Sequence, residues 1–164
     1  MYLPFILTAC IVAADQIIKI LIVQNIGMHE IGFVAGDGFF RLVHTRNLGI
    51  AFSIGREWSP LVRRILFIVF PAVVMIFVLF YYFKGEDLTT GMRWAMAGIL
   101  GGGTGNIIDR IIRPEGVVDY LDFRFYGIFG LERWPVFNLA DMSVVVSALV
   151  LLLLFIIQER KNRE

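Results

Sequence analysis

The sequence predicts a mainly α-helical membrane protein, with four transmembrane helices and a small β-sheet between helices 1 and 2. Three observations predict it. Hydrophobic residues make up 58% of the 164-residue chain and the mean hydropathy is +0.76, beyond what a water-facing surface carries. Four apolar stretches approach the ~20 residues that a helix needs to cross ~30 Å of hydrocarbon. Between the first two lie short apolar–polar alternations such as "FFRLVHT", which have strand periodicity.

Each span has its own signature. The first, residues 3–23, is interrupted by Asp15, Gln16 and Lys19. The second, about residues 61–83, is uncharged from Ile65 to Phe83 and carries Pro71 near its middle. The third, about residues 92–112, is rich in glycine. The fourth, about residues 138–157, opens with "NLAD" and continues through sixteen uncharged residues, Met142 to Ile157. Spans two and three are joined by the bare turn "KGEDLTT", whereas the connections before span two and before span four are long. With four spans these long connections share one membrane face, and a shaped site belongs there because loops on a rigid scaffold carry chemistry. Nine basic residues fall on that face against five on the other, so charge alone would place the long connections in the cytoplasm. Several of those arginines sit inside polar motifs where acids can bind them, which leaves orientation open.

Composition also excludes. The net charge of +1, without a long run of like charges, gives no nucleic-acid footprint. Cys10 is the only cysteine, and His29 and His44 make no metal-ligand pattern with it. Residues 7–10, "LTAC", look like a lipidation box, but the first basic residue, Lys19, follows the would-be cleavage point, so the match reads as coincidence.

Ionisable groups at membrane depth cost roughly 2.5–3.5 kcal/mol each on insertion scales, so each needs a partner or a task. Asp15 and Lys19 are spaced i, i+4 and form an ion pair on one helix face, a tie between helices. In "GGGTGNIIDR", Gly101, Gly102 and Gly105 allow close helix approach, while Asn106, Asp109 and Arg110 reach one face. That trio reads either as a structural polar cluster or as groups that place a substrate. Asp119 in "VVDYL" and Asp141 at the start of span four share a membrane face and could meet at the rim of the bundle. Two such carboxyls in a poorly solvated place keep one proton between them, as in an acid–base pair acting on water and a carbonyl. Asp141 alone also suits a helix N-terminus. Phe39, Phe40, Phe52, Trp58 and Trp134 form an interfacial belt or a cover for the site.

The set "DQIIK" (15–19), "RNLGIAF" (46–52), "GGGTGNIIDR" (101–110), "VVDYLD" (117–122) and "FNLADMS" (137–143) resembles the lipoprotein signal peptidases, the bacterial type II signal peptidases, in order and over nearly the whole chain. Tyr120, where phenylalanine is common, and Met142 are minor departures. The resemblance implies a single integral-membrane peptidase domain over residues 1–164, multi-pass in the bacterial inner membrane. Both termini would be cytoplasmic and the small sheet would form an extracytoplasmic cradle, with the active site near that face. It implies an aspartic endopeptidase with Asp119 and Asp141 as its catalytic acids and neither metal nor cofactor. Asn47, Asn106, Arg110 and Asn138 would support the site, and Asp15 and Lys19 would be structural. The substrate would be a prolipoprotein, cut just before a cysteine already carrying diacylglycerol. That lipid would concentrate the peptide at a membrane-embedded site. Partners would then be such prolipoproteins and membrane lipids, with no obligate protein partner.

Three rivals are weaker. An ion relay through Asp15, Lys19 and Asp109 would suit a transporter, yet the two halves of the chain show no repeat. A serine hydrolase through Ser53 or Ser143 lacks the G-x-S-x-G elbow. A bare scaffold leaves the polar motifs unexplained.

Overall fold

The structure, a computed structural model, describes residues 1–49 and 58–163. Helix α1, Phe5–Asn25, turns its charged residues inward. Asp15 and Lys19 are fully buried, while Ile17, Ile20 and Leu21 face outward. This inverts the pattern of a helix in water and suits one in lipid.

Helix α2, Pro60–Arg64, passes through one π-helical turn, Ile65–Val69, into α3, Phe70–Lys84. Pro71 explains the wide turn. It lacks an N–H, and in a regular helix its ring would press on the carbonyl of Phe67, so the extra residue in the turn absorbs the clash. Helix α4, Thr90–Ile112, starts where the Thr89 hydroxyl accepts the Met92 N–H at 3.2 Å. Helix α5, Leu139–Lys161, runs four residues beyond the expected end, through the polar "QERK".

Among the described residues, three helices are long and apolar enough to cross a membrane, namely α1, the joined α2–α3 (Leu61–Lys84) and α5. Helix α4 matches α5 in length, at 23 residues, but is the most enclosed of them. It packs against α1, α3 and α5, so apart from the exposed Ile111 and Ile112 at its end most of its surface meets protein and can be made of glycine, alanine and polar side chains. The glycines serve both neighbours: Gly101 abuts Thr8 and Ile11 of α1, Gly102 abuts Ala140 and Val144 of α5, and Gly105 abuts Asp15 and Ala140.

The sheet differs from expectation. Strands β1, Ile31–Ala35, and β2, Phe40–Asn47, do lie between α1 and α2, but a third strand, β3, Val117–Phe123, comes from the connection between α4 and α5. The order is β1-β2-β3, antiparallel throughout, with Thr45 opposite Asp119 and Asn47 opposite Val117. The free edge of β3 is met by Phe137, which exchanges two backbone hydrogen bonds with Leu121, at 2.8 and 3.1 Å. The strand carrying Asp119 is thereby held between the strand carrying Asn47 and the residue preceding Asn138.

Candidate active site

Asp141 owes its position to the way α5 begins. The first three amides of a helix have no partner within it, and here each meets a side chain from a different part of the fold. Leu139 N–H donates to the Tyr120 hydroxyl of β3 at 3.1 Å, Ala140 N–H to Asp15 Oδ1 of α1 at 3.1 Å, and Asp141 N–H to Asn138 Oδ1 at 2.9 Å. Asp141 Oδ2 in turn accepts the Asn138 N–H at 3.2 Å, closing a capping box. The acid at the mouth of an apolar helix is therefore a capping residue, with its other oxygen, Oδ1, held at 2.7 Å by the amide of Asn106.

Asp119 lies across from it and is buried. Its Oδ1 accepts Asn138 Nδ2 at 2.7 Å, and its Oδ2 accepts Asn47 Nδ2 at 3.1 Å. Asn138 thus touches both acids, by its side-chain amide on one and by its backbone on the other. Burial, and then the neighbouring Asp141 charge, push the Asp119 carboxyl up to about 7, against an ordinary 3.8.

Both acids open into a cavity of about 750 Å³. Its walls are apolar: Phe70, Pro71, Val74 and Met75 of α3, Ile99 and Ile107 of α4, and Met142 and Val145 of α5. Asn47, Asn106 and Arg110 share its polar end with the acids, and Trp134 to Phe137 line it beside them. All six of the expected site residues, Asn47, Asn106, Arg110, Asp119, Asn138 and Asp141, come together here, Asn138 immediately behind the lining.

Asp15 and Lys19 are an ion pair as expected, at 2.8 Å, but not an isolated one. Lys19 Nζ is also 3.0 Å from Asp109 Oδ2 and donates to Asn106 Oδ1 at 3.2 Å. Asp109 further accepts the Val118 N–H at 3.1 Å, Gln16 Nε2 at 3.0 Å, and Arg113. One expectation is corrected. Asn106, Asp109 and Arg110 do not act on one face: Asn106 and Arg110 line the cavity, whereas Asp109 turns behind it toward α1 and β3 and pairs with Arg113, the residue just after α4. Gln16, Tyr120 and Arg113 are the members of this polar framework that spacing alone did not single out as site groups.

Asp15, Lys19 and Asp109, the residues of the ion-relay reading, are closed on one another, and the Ser143 hydroxyl donates to Leu139 O at 2.7 Å. Trp58 stacks on Phe67 at 6.0 Å, Phe39 packs edge-on against Phe123 at 5.7 Å, and Phe40 lies 5.0 Å from Phe123. Phe52 and Ser53, with Ile50 and Ala51 of the second motif, lie outside the described residues.

Comparison with known proteins bears on the family and the fold. The family profile described as "Signal peptidase (SPase) II" matches residues 7–157. A lipoprotein signal peptidase of Treponema denticola is 44% identical over 163 residues, 99% of this chain and 94% of that protein. Those of Treponema pallidum and Borrelia garinii are 40% and 43% identical, over 98% and 96% of this chain and 86% and 91% of those proteins. In fold, a bacterial membrane enzyme solved by the in meso method superposes with a TM-score of 0.81 at 22% identity, covering 98% of this chain and 91% of that one. The chain belongs to the signal peptidase II family of peptidases.

Proposed function

We propose that this protein is a membrane-embedded aspartic endopeptidase that removes signal peptides from prolipoproteins, cutting just before a cysteine that already carries diacylglycerol. The observation that carries the reading is an apolar cavity between three helices with two carboxylic acids, Asp119 and Asp141, at its polar end. Acyl chains suit such walls, and the peptide beside the lipidated cysteine then lies near the acids. Full-length relatives named lipoprotein signal peptidase support the same substrate class.

Asp119 can hold a proton near neutral pH, since burial and the neighbouring Asp141 charge hold its carboxyl up at about 7. The ionised acid takes a proton from water as the water oxygen bonds to the scissile carbonyl carbon. The protonated acid gives its proton to the carbonyl oxygen, forming a neutral gem-diol. Collapse breaks the C–N bond: a hydroxyl proton returns to one carboxylate and the other acid's proton goes to the leaving cysteine nitrogen. Asn106 and Asn138 fix the two carboxyls, and Arg110 and Asn47 face the substrate from the cavity wall.

In this reading all of residues 1–164 form one domain, and α4 is the fourth span, admitted by its protein surroundings. Both termini lie in the cytoplasm and the sheet is a cradle on the extracytoplasmic face of the inner membrane. The contrary arginine count weakens because Arg113, Arg124 and Arg133 are paired with Asp109, Glu132 and Asp122.

The test compares wild type with Asp119→Asn and Asp141→Asn in detergent, following cleavage of a diacylglyceryl-modified prolipoprotein with and without a chelator. Loss of cleavage in both folded variants, with wild type indifferent to chelator, is expected. Cleavage surviving in either variant removes that acid from the mechanism.

A further inference from the structure

A second cavity, of about 250 Å³, adjoins the first, and Asn47 and Arg110 line both. Four arginines reach it: Arg63 and Arg64 from α2, Arg110 from the last turn of α4, and Arg113 just after it. Among the described residues one carboxylate forms an ion pair with any of the four, that of Asp109 with Arg113, while Arg110 also faces the Asp141 and Asp119 charges across the larger cavity. Among the described residues Arg110 donates to two carbonyls, Asn106 O and Gly49 O, at 3.4 Å each, and lies over the Phe67 ring. Among the described residues neither Arg63 nor Arg64 has an ion pair, and Arg63 Nε is buried without an acceptor. Arg46 adds to the crowding. It donates to Gly116 O at 3.4 Å on the cavity rim, and burial followed by the Arg113 charge lowers its pKa.

Clustered cations and an unmatched buried donor both cost free energy, and an anion with several oxygens would relieve both at once. Arginine forks match phosphate oxygens well. The depth also suits a headgroup: Arg63 and Arg64 lie in the first turns of a candidate span that includes the exposed Ile65, and Ile111 beside the cavity is exposed too. We propose that this cavity binds the phosphodiester headgroup of an anionic phospholipid, with its acyl chains running down the outside of α2 and α4. A zwitterionic headgroup fits poorly, because its ammonium would be brought among the same arginines. The site goes beyond peptide cleavage, and through Arg110 and Asn47 an occupied site would stiffen the wall of the larger cavity.

The test uses the full chain in a neutral detergent, with thermal unfolding read against added dihexanoyl phosphatidylglycerol, dihexanoyl phosphatidylcholine or inorganic phosphate. The anionic lipid should raise the unfolding temperature saturably, with the other two far weaker. Arg63→Gln/Arg64→Gln should weaken the half-saturating concentration at least tenfold. Because Arg64 is exposed, Arg64→Gln alone serves if the double variant folds poorly, with a severalfold loss expected. An equal response to phosphatidylcholine, an unchanged response in the variants, or a phosphate response matching that of the lipid would each overturn the proposal, the last by assigning the cavity to free phosphate.

Discussion

The side-chain amide of Asn138 donates to the Asp119 carboxylate at 2.7 Å, while its carbonyl oxygen caps α5 at the Asp141 N–H. One residue therefore fixes the distance between a strand and a helix. Asn138→Ala should lose a cap worth about 1 kcal/mol and leave Asp119 short of a donor, so cleavage should fall at least tenfold. Asn138→Asp keeps the capping oxygen but supplies no donor and adds a third carboxylate. Its thermal stability should recover toward wild type while its turnover does not. Recovery of both together would mean that Asn138 serves the helix alone.

Asp119 also makes stability depend on pH. Its carboxyl titrates at about 7 when folded and near 3.8 when unfolded, so the folded chain holds the proton more tightly. Stability from this group is thus greatest at low pH and falls as pH rises from about 4 through about 7, by a few kcal/mol at most at ~1.4 kcal/mol per pKa unit. Asp119→Asn removes that titration. The difference in unfolding temperature, variant minus wild type, should grow from pH 5 to pH 8, and a constant difference would show that the carboxyl is not held high.

Much of this was legible in the sequence, and the gaps have physical causes. Spans one, two and four are read from apolar length alone, and the Asp15–Lys19 pair from i, i+4 spacing. Strand β3 escaped because Val117 to Tyr120 are buried on both faces, so no alternation marks them. The placement of Asp109 escaped because its partners Lys19, Gln16 and Val118 come from other elements, and only Arg113 is local. The approach of Asp119 to Asp141 is read from their shared membrane face, whereas Asn47 comes from the family motif alone, since strand pairing across seventy-two residues leaves no local trace.

The glycine-rich helix offers a contrast between adjacent positions. A Cβ at Gly102 would overlap the Ala140 carbonyl, which is backbone and cannot yield without moving α5. At Gly103 it would meet the sulfur end of Met75, a flexible chain on the cavity wall, at 2.5 Å. Gly102→Ala should therefore lower folded yield and unfolding temperature sharply, whereas Gly103→Ala should fold normally and only reshape the cavity. Equal stability of the two would refute this account of α4–α5 packing.

Behind the site, Lys19 and Arg113 balance Asp15 and Asp109, so the buried cluster is neutral as a whole. Removing one member of a buried ion network typically costs 3–5 kcal/mol, roughly, because the remaining charge is stranded. Lys19→Met should accordingly be the most damaging single change to stability. Asp15→Asn should lower yield or unfolding temperature more than it lowers turnover per folded molecule, since Asp15 touches the site only through the Ala140 amide. Full stability with lost turnover would contradict that assignment. Combining Lys19→Met with Asp15→Asn restores neutrality, so the double variant should unfold at a higher temperature than Lys19→Met alone. If it does not, charge balance is not what Lys19 provides, and its 3.2 Å bond to Asn106, the residue that holds Asp141, is the contact that matters.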